Sequence, residues 1–139
     1  MSDQLSKHII KLVPSLEEEI EEIMSFFELE YFEERAQILE EGHNVSKYYF
    51  VNKGCLHLYF NDVYQNQNTI FYALKRWWIT EYHAFLDNSK AEFGISAIEP
   101  SEVLSITKSN FEKLLVNHPL MGIYFNTIHM RAYAEAVFN

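Results

Sequence analysis

Lys47-Tyr48-Tyr49-Phe50-Val51-Asn52-Lys53-Gly54-Cys55-Leu56-His57-Leu58-Tyr59-Phe60 decides the fold. Both flanks of Gly54 are dense in aromatic and aliphatic residues, which suit a pleated, half-buried surface, and glycine between two such runs is turn chemistry. The spacing predicts two strands, Lys47–Lys53 and Cys55–Phe60, paired as a hairpin about Gly54. Downstream, Asn61-Asp62 and Asn66-Gln67-Asn68 supply turns around a third strand, Thr69–Leu74, in which Ile70, Tyr72 and Leu74 share one face. Two further strands follow at Phe93–Ile98 and Val103–Ile106, divided by Glu99-Pro100-Ser101. Short strands at this spacing predict a barrel, sandwich or jelly roll.

Helical periodicity brackets the strands. Leu5, Ile9 and Leu12 fit a short helix over about 3–12. Ser15-Leu16-Glu17-Glu18 reads as a capping box for a helix over about 15–27, with Leu16, Ile20, Ile23 and Phe27 on its apolar side. Glu81–Leu86 reads as a short helix inserted into the strand series. Ser109-Asn110-Phe111-Glu112 opens another helix that ends near Asn117-His118-Pro119. The last, from about 119 to 138, carries Leu120, Met121, Ile123, Tyr124, Phe125, Ile128, Met130, Tyr133, Val137 and Phe138 nearly all the way round. A helix that packs once needs one apolar stripe, so this one is expected to pack on the roll by one face and on a second subunit by the other. The fold class is α+β: an antiparallel, jelly-roll-like β-roll with N-terminal helices and a long C-terminal helix. Residues 1–118 form the helices and roll, and 119–139 the dimerisation-type helix of the same domain.

The 139 residues allow one domain with a substantial core, and 48% apolar residues exclude a disordered chain. Formal charge is −9, and all of the excess lies in residues 1–41, where 12 acids face 3 Lys/Arg. Glu17, Glu18, Glu19, Glu21 and Glu22 are read as the solvated face of a helix. An acidic surface repels a polyphosphate backbone, so this chain is not expected to bind DNA directly. One cysteine, Cys55, precludes an internal disulfide and is read as a small buried hydrophobe. No apolar run approaches the roughly 20 residues of a membrane span, and a cytoplasmic protein is expected.

The order of elements resembles the cyclic-nucleotide-binding domain. Glu41-Gly42, Tyr48-Tyr49-Phe50-Val51 and Lys53-Gly54-Cys55-Leu56-His57-Leu58-Tyr59 are similar to its paired-glycine strands, with the glycines twelve residues apart. Trp78-Ile79-Thr80-Glu81-Tyr82-His83-Ala84-Phe85-Leu86 resembles its phosphate-binding cassette. Ser96-Ala97-Ile98-Glu99, Val103-Leu104-Ser105-Ile106 and the helix from Ser109 resemble its closing strands and following helix. The branch it is most similar to is the Crp/Fnr-type bacterial transcription regulators, in which the roll senses a ligand, the long helix dimerises and a C-terminal helix-turn-helix binds DNA. That last part is expected to be lacking here.

What the resemblance implies about the site is specific. A cyclic phosphate is held by N–H groups at a helix start and by an Arg, while a Glu takes the ribose hydroxyl. Glu81 matches that Glu. Thr80 stands in place of the family's glycine, and Ala91 and Glu92 in place of its Arg-Ser pair, with Lys90 one residue away as a substitute cation. Ile79, Thr80, Glu81, Tyr82, Lys90, Ala91 and Glu92 are therefore the candidate ligand-binding residues. Without the Arg, and with a carboxylate at Glu92, binding of ordinary cyclic AMP or cyclic GMP is expected to be weak or absent. No cofactor is required, and a nucleotide-like or other small-molecule effector is the implied ligand.

Two other readings start from the residues. Trp77, Trp78, Tyr72, Tyr82 and Phe85 offer either an aromatic-lined cavity or core packing, and packing is the reading adopted. His43, His57 and His83 in a jelly roll raise a cupin-like metalloenzyme, but the His-x-His pair and downstream Glu of such sites are missing. With no nucleophile elbow, P-loop, dinucleotide fingerprint or zincin motif, the chain is not expected to be an enzyme. A ligand-free dimerisation scaffold is the remaining alternative.

Overall fold

Along Lys47–Lys53, Tyr49 and Val51 alternate with Tyr48 and Phe50, and a strand of this pattern offers an apolar set to each side. In the computed structural model, which describes residues 3–138 and the side chains of residues 4–134, the run is strand β3. The others are β1 (Glu28–Phe32), β2 (Gln37–Leu39), β4 (Leu56–Asn61), β5 (Gln67–Ala73), β6 (Trp78–Ile79), β7 (Gly94–Ala97) and β8 (Ser101–Thr107). They form two antiparallel four-stranded sheets, ordered β1-β8-β3-β6 and β2-β7-β4-β5. Tyr49, Val51, Ile79 and Val103 from the first sheet pack with Leu56, Ala73, Ile95 and Ala97 from the second to make the core.

The expected hairpin about Gly54 does not form. β3 and β4 lie in different sheets, and Gly54, at φ 97°, carries the chain across the corner. Both strands have an apolar inner set, and stacking the two sets face to face removes more surface from water than pairing the strands edge to edge. The hairpin partner of β4 is β5. Its turn is held by Asp62, whose Oδ1 accepts from the N–H groups of Tyr64 (2.8 Å) and Asn66 (3.0 Å). These bonds, that of Asn66 foremost, hold the Asp62 carboxyl below its ordinary pKa. Ile70 and Tyr72 of β5 are exposed, as is Leu74 just past its end, while Phe71 and Ala73 point to the core.

Five helical segments accompany the strands: α1 (Asp3–Leu12), α2 (Ile20–Met24), α3 (Tyr82–Asp87), α4 (Lys108–Asn117) and α5 (Met121–Phe138), with a 3-10 segment at Pro14–Glu19. The helix expected over 15–27 is thus split. Its N-cap is Val13 with no side-chain bond, so Ser15 caps nothing. Glu17 with Glu21 and Glu18 with Glu22 would stack like charges one α-turn apart, which opposes a regular α-helix. The acidic face is only partly solvated: Glu19 Oε1 lies 2.7 Å from Nδ1 of the buried His118, and Glu22 reaches Nε2 of the same ring.

The chain divides into two compact units, Glu28–Lys108 and the helical residues on either side of it. Within the helical unit, α5 buries Met121, Tyr124, Phe125 and Ile128. Phe125 packs edge-on to Phe111 of α4, and the Tyr124 hydroxyl lies 2.7 Å from His8 Nδ1 of α1. Pro119 falls in the turn before α5 rather than inside it. Ile123, Met130 and Tyr133 form a second, exposed stripe; the side chains of Val137 and Phe138, assigned to the apolar faces above, lie outside the described residues.

Gly54 and Gly42 differ in what a side chain would meet. A Cβ on Gly54 would lie 2.7 Å from the Pro100 carbonyl oxygen and against Ser101 Oγ, whereas one on Gly42 (φ 87°) would meet open space. Gly42→Ala therefore adds only left-handed backbone strain, about 1–2 kcal/mol. Gly54→Ala adds overpacking of a further ~1–3 kcal/mol. Urea unfolding monitored by tryptophan fluorescence is expected to place the Gly54 variant clearly below the Gly42 variant.

Candidate functional site

The site begins where β6 ends. Ile79 is buried and pairs with Tyr49, and Thr80 follows, 8% exposed, its Oγ1 donating to the Lys47 carbonyl at 2.7 Å. Its backbone is not left-handed, so the glycine of the family's cassette is not needed for conformation here. Glu81 is the N-cap residue of α3, yet its side chain makes no cap bond. It turns aside, 7% exposed, and Oε2 accepts from the Glu92 N–H at 3.1 Å. Tyr82, the first residue of α3, lies 5.7 Å ring to ring from Tyr48, and burial pushes its hydroxyl pKa up. Lys108 anchors the other end of α3. Its Nζ bonds the Phe85 and Leu86 carbonyls and sits 5.3 Å from the Phe85 ring, a cation at a helix C-terminus.

Lys90, Ala91 and Glu92 reach the same place through the backbone. Lys90 bridges Asn44, the Ala91 N–H donates to the His43 carbonyl at 2.8 Å, and the Ala91 carbonyl accepts from Gly42 at 2.7 Å. Ala91 is buried, while the Lys90 and Glu92 side chains are exposed. The structure thus brings all seven candidates into one neighbourhood, joined by the Glu81–Glu92 bond. Thr80 among them lines a cavity. That cavity holds about 50 Å³, and its other walls include Ile38, Leu39 and Ile95, with Asn44 and Lys47 as polar members.

Lys47 is the cation the sequence reading missed. Period-two alternation from Tyr49 and Val51 puts it on the inner face of β3, so the signal was present. Its Nζ lies 3.0 Å from Glu30 Oε2, the oxygen that also accepts from Ser105. Tyr49 stands by the same group; burial first, and the Glu30 charge second, push its hydroxyl far above the ordinary value. A carboxylate already pairs with Lys47, the cation among the described residues lining this cavity, and an entering anion would have to displace it.

The aromatic residues divide between two places. Tyr48 packs against Trp78, Tyr82 and Phe85, and Phe50 against Trp78, on the outer side of β3. Trp77 packs on Phe71, and Tyr72 on His57. These are packing contacts, as expected. Cys55 is buried and its thiol is pushed up, by burial first and then by Glu99. His43 sits 3.3 Å from Glu40 and His83 3.7 Å from Asp87, both exposed. Among the described residues no group of His, Cys, Asp and Glu is placed to hold a metal, and no helix is long and apolar enough to cross a membrane.

An antiparallel roll with a short helix after β6 defines the class of fold. The sequence matches the Cyclic nucleotide-binding domain over residues 29–118, and the chain belongs to that family. Solved structures share the fold. The Catabolite Activator Protein of Thermus thermophilus superposes with a TM-score of 0.74 at 20% identity, covering 93% of this chain and 59% of that one. The sensor domain of the transcriptional regulator DNR from Pseudomonas aeruginosa gives 0.68 at 16% identity, covering 92% and 85%. The regulator CLP of Xanthomonas campestris gives 0.70 at 14% identity, covering 82% and 56%. These Crp/Fnr-type folds match the expected β-roll, and this chain spans about three fifths of the Thermus protein's length. No curated protein sequence matches it.

His57, also missed as a site residue, is 3% exposed on β4, and burial lowers its pKa below the ordinary 6.5. As pH falls through 6.5 the unfolded chain takes up a proton that the folded chain refuses, so stability present above pH 6.5 is lost as the solution is acidified. Thermal melts from pH 7.5 to 5.5 are expected to show this loss, and His57→Gln to flatten the profile in that window.

Proposed function

We propose that this chain is the ligand-sensing regulatory domain of a Crp/Fnr-type transcription regulator, and that it does not bind ordinary cyclic AMP or cyclic GMP tightly. The family match over residues 29–118 supports the first part of this reading, and the observation that carries the second is the cavity beside Thr80. At about 50 Å³ it holds a few waters, against roughly 300–1,000 Å³ for small-molecule pockets. Three features support it further: Glu81 is engaged with the Glu92 amide, Ala91 offers no cation, and Lys47 is neutralised by Glu30. An effector here would take its contacts from Ile79, Thr80, Glu81, Tyr82, Lys90, Ala91 and Glu92, and it would act on α3, whose start these residues set. The domain comprises residues 1–118 with the helix 119–139, has no enzymatic role, requires no cofactor and is cytoplasmic. DNA binding belongs to a separate segment.

Calorimetric titration with cyclic AMP and cyclic GMP is expected to show no saturation below millimolar concentration. Micromolar affinity for either would overturn the reading. The triple variant T80G/A91R/E92S, which restores the family's pattern, is expected to gain cyclic AMP affinity by about tenfold or more, the scale of a charge-assisted hydrogen bond.

The helix α5 supports a homodimer. Ile123, Met130 and Tyr133 present an apolar stripe to solvent on a helix whose other face is already filled. Sedimentation of the chain is expected to give a dimer, and of the pair I123E/M130E a monomer with unchanged helix content. A parent chain that sediments as a monomer would leave the stripe without this role.

A further inference from the structure

The outer face of the second sheet carries a polar centre that the roll's interior does not use. His57 and Ser96 are directly opposed in the β4–β7 register and point away from the core filled by Leu56, Ile95 and Ala97. His57 Nε2 lies 2.8 Å from Ser96 Oγ, and Nδ1 2.8 Å from Thr69 Oγ1. The ring is stacked between Tyr59 at 5.0 Å and Tyr72 at 6.1 Å. His57 is 3% exposed and Ser96 4%. The Tyr59 and Tyr72 rings cover the imidazole, and residues of the β1–β2 and β4–β5 turns stand near it.

Those turns do not close over the centre; they leave a cavity of about 830 Å³ with His57 and Ser96 among its walls. That is well within the range of small-molecule pockets and far larger than the space beside Thr80. Glu34 and Arg35 of the β1–β2 turn and Gln65 and Gln67 also line it. Arg35 (φ 69°) and Gln65 (φ 67°) both have left-handed backbone, which for a residue with a Cβ costs about 1–3 kcal/mol. The Arg35 N–H donates to the Ala97 carbonyl at 2.8 Å, so its position relative to β7 is fixed, and among the described residues its guanidinium has no ion-pair partner.

The charges decide what fits. One guanidinium and one carboxylate stand side by side in sequence, and burial lowers the imidazole pKa, opposed by a side-chain hydrogen bond with Gln67. A dianionic phosphate would gain Arg35 and be opposed by Glu34. A zwitterion satisfies both. We propose that this cavity is a second ligand site, for a small zwitterion of the α-amino acid class, whose carboxylate pairs with Arg35, whose ammonium faces Glu34, and whose polar side chain meets the Gln65 and Gln67 carboxamides and the Ser96 hydroxyl.

The test is heteronuclear NMR of the labelled chain titrated separately with glycine, L-glutamine, L-glutamate and inorganic phosphate. L-Glutamine is expected to shift the His57 imidazole and the Gln65 and Gln67 side-chain amides saturably, with phosphate at least tenfold weaker. Arg35→Asn, chosen because asparagine tolerates the left-handed backbone, is expected to raise the dissociation constant about tenfold or more. Glu34→Gln, at an exposed position, provides an independent variant with the same expected direction. Several results would overturn the assignment: no saturable shift with any of the amino acids, phosphate binding as tightly as they do, shifts centred on Thr80–Tyr82, or an affinity that neither variant lowers.

Discussion

Burial between the inner faces of the two sheets is the constraint on which the rest depends. Tyr49, Val51, Ile79 and Val103 meet Leu56, Ala73, Ile95 and Ala97 across one core, and each large apolar side chain contributes roughly 1.5–3 kcal/mol. The requirement that both faces be covered sends the chain across the Gly54 corner. It also sets which residues of each strand are left to face outward. Tyr48 and Phe50 then become a platform for the cassette helix, and His57 and Ser96 become an outer polar pair, because their neighbours in sequence are committed inward.

The cassette neighbourhood is held together by the chain's own groups. Backbone bonds through Ala91 and the Glu81 side chain hold the two halves of the site together without an anion. Thr80 adds a hydroxyl bond to Lys47 where a glycine would leave space, and Glu30 takes the charge of Lys47. The result is a site nearly filled by its own side chains.

Much of this could be read from residue order. The strand runs, the inserted helix at Glu81 and the two-sided last helix follow from period and turn chemistry, and the seven candidate residues lie near one another in the fold. What stayed hidden depended on partners distant in sequence. Lys47 was legible as an inward residue by alternation, but its neutralisation was not, since Glu30 lies on β1 and reaches it only across β8. His57, read as one scattered histidine of six, acquires its setting from Ser96 and Thr69 on the strands to either side.

Residue order alone carried the alternation that makes strands, the acidic excess near the N-terminus and the apolar second stripe of α5. These are properties of residues a few positions apart. The tertiary structure decided that β3 and β4 belong to different sheets, that Ile70, Tyr72 and Leu74 face solvent, that the cassette cavity is small and that a larger one lies on the opposite side of the second sheet. Such features depend on which strands become neighbours. That choice is made by the burial of two whole faces at once, a quantity no local window of sequence contains.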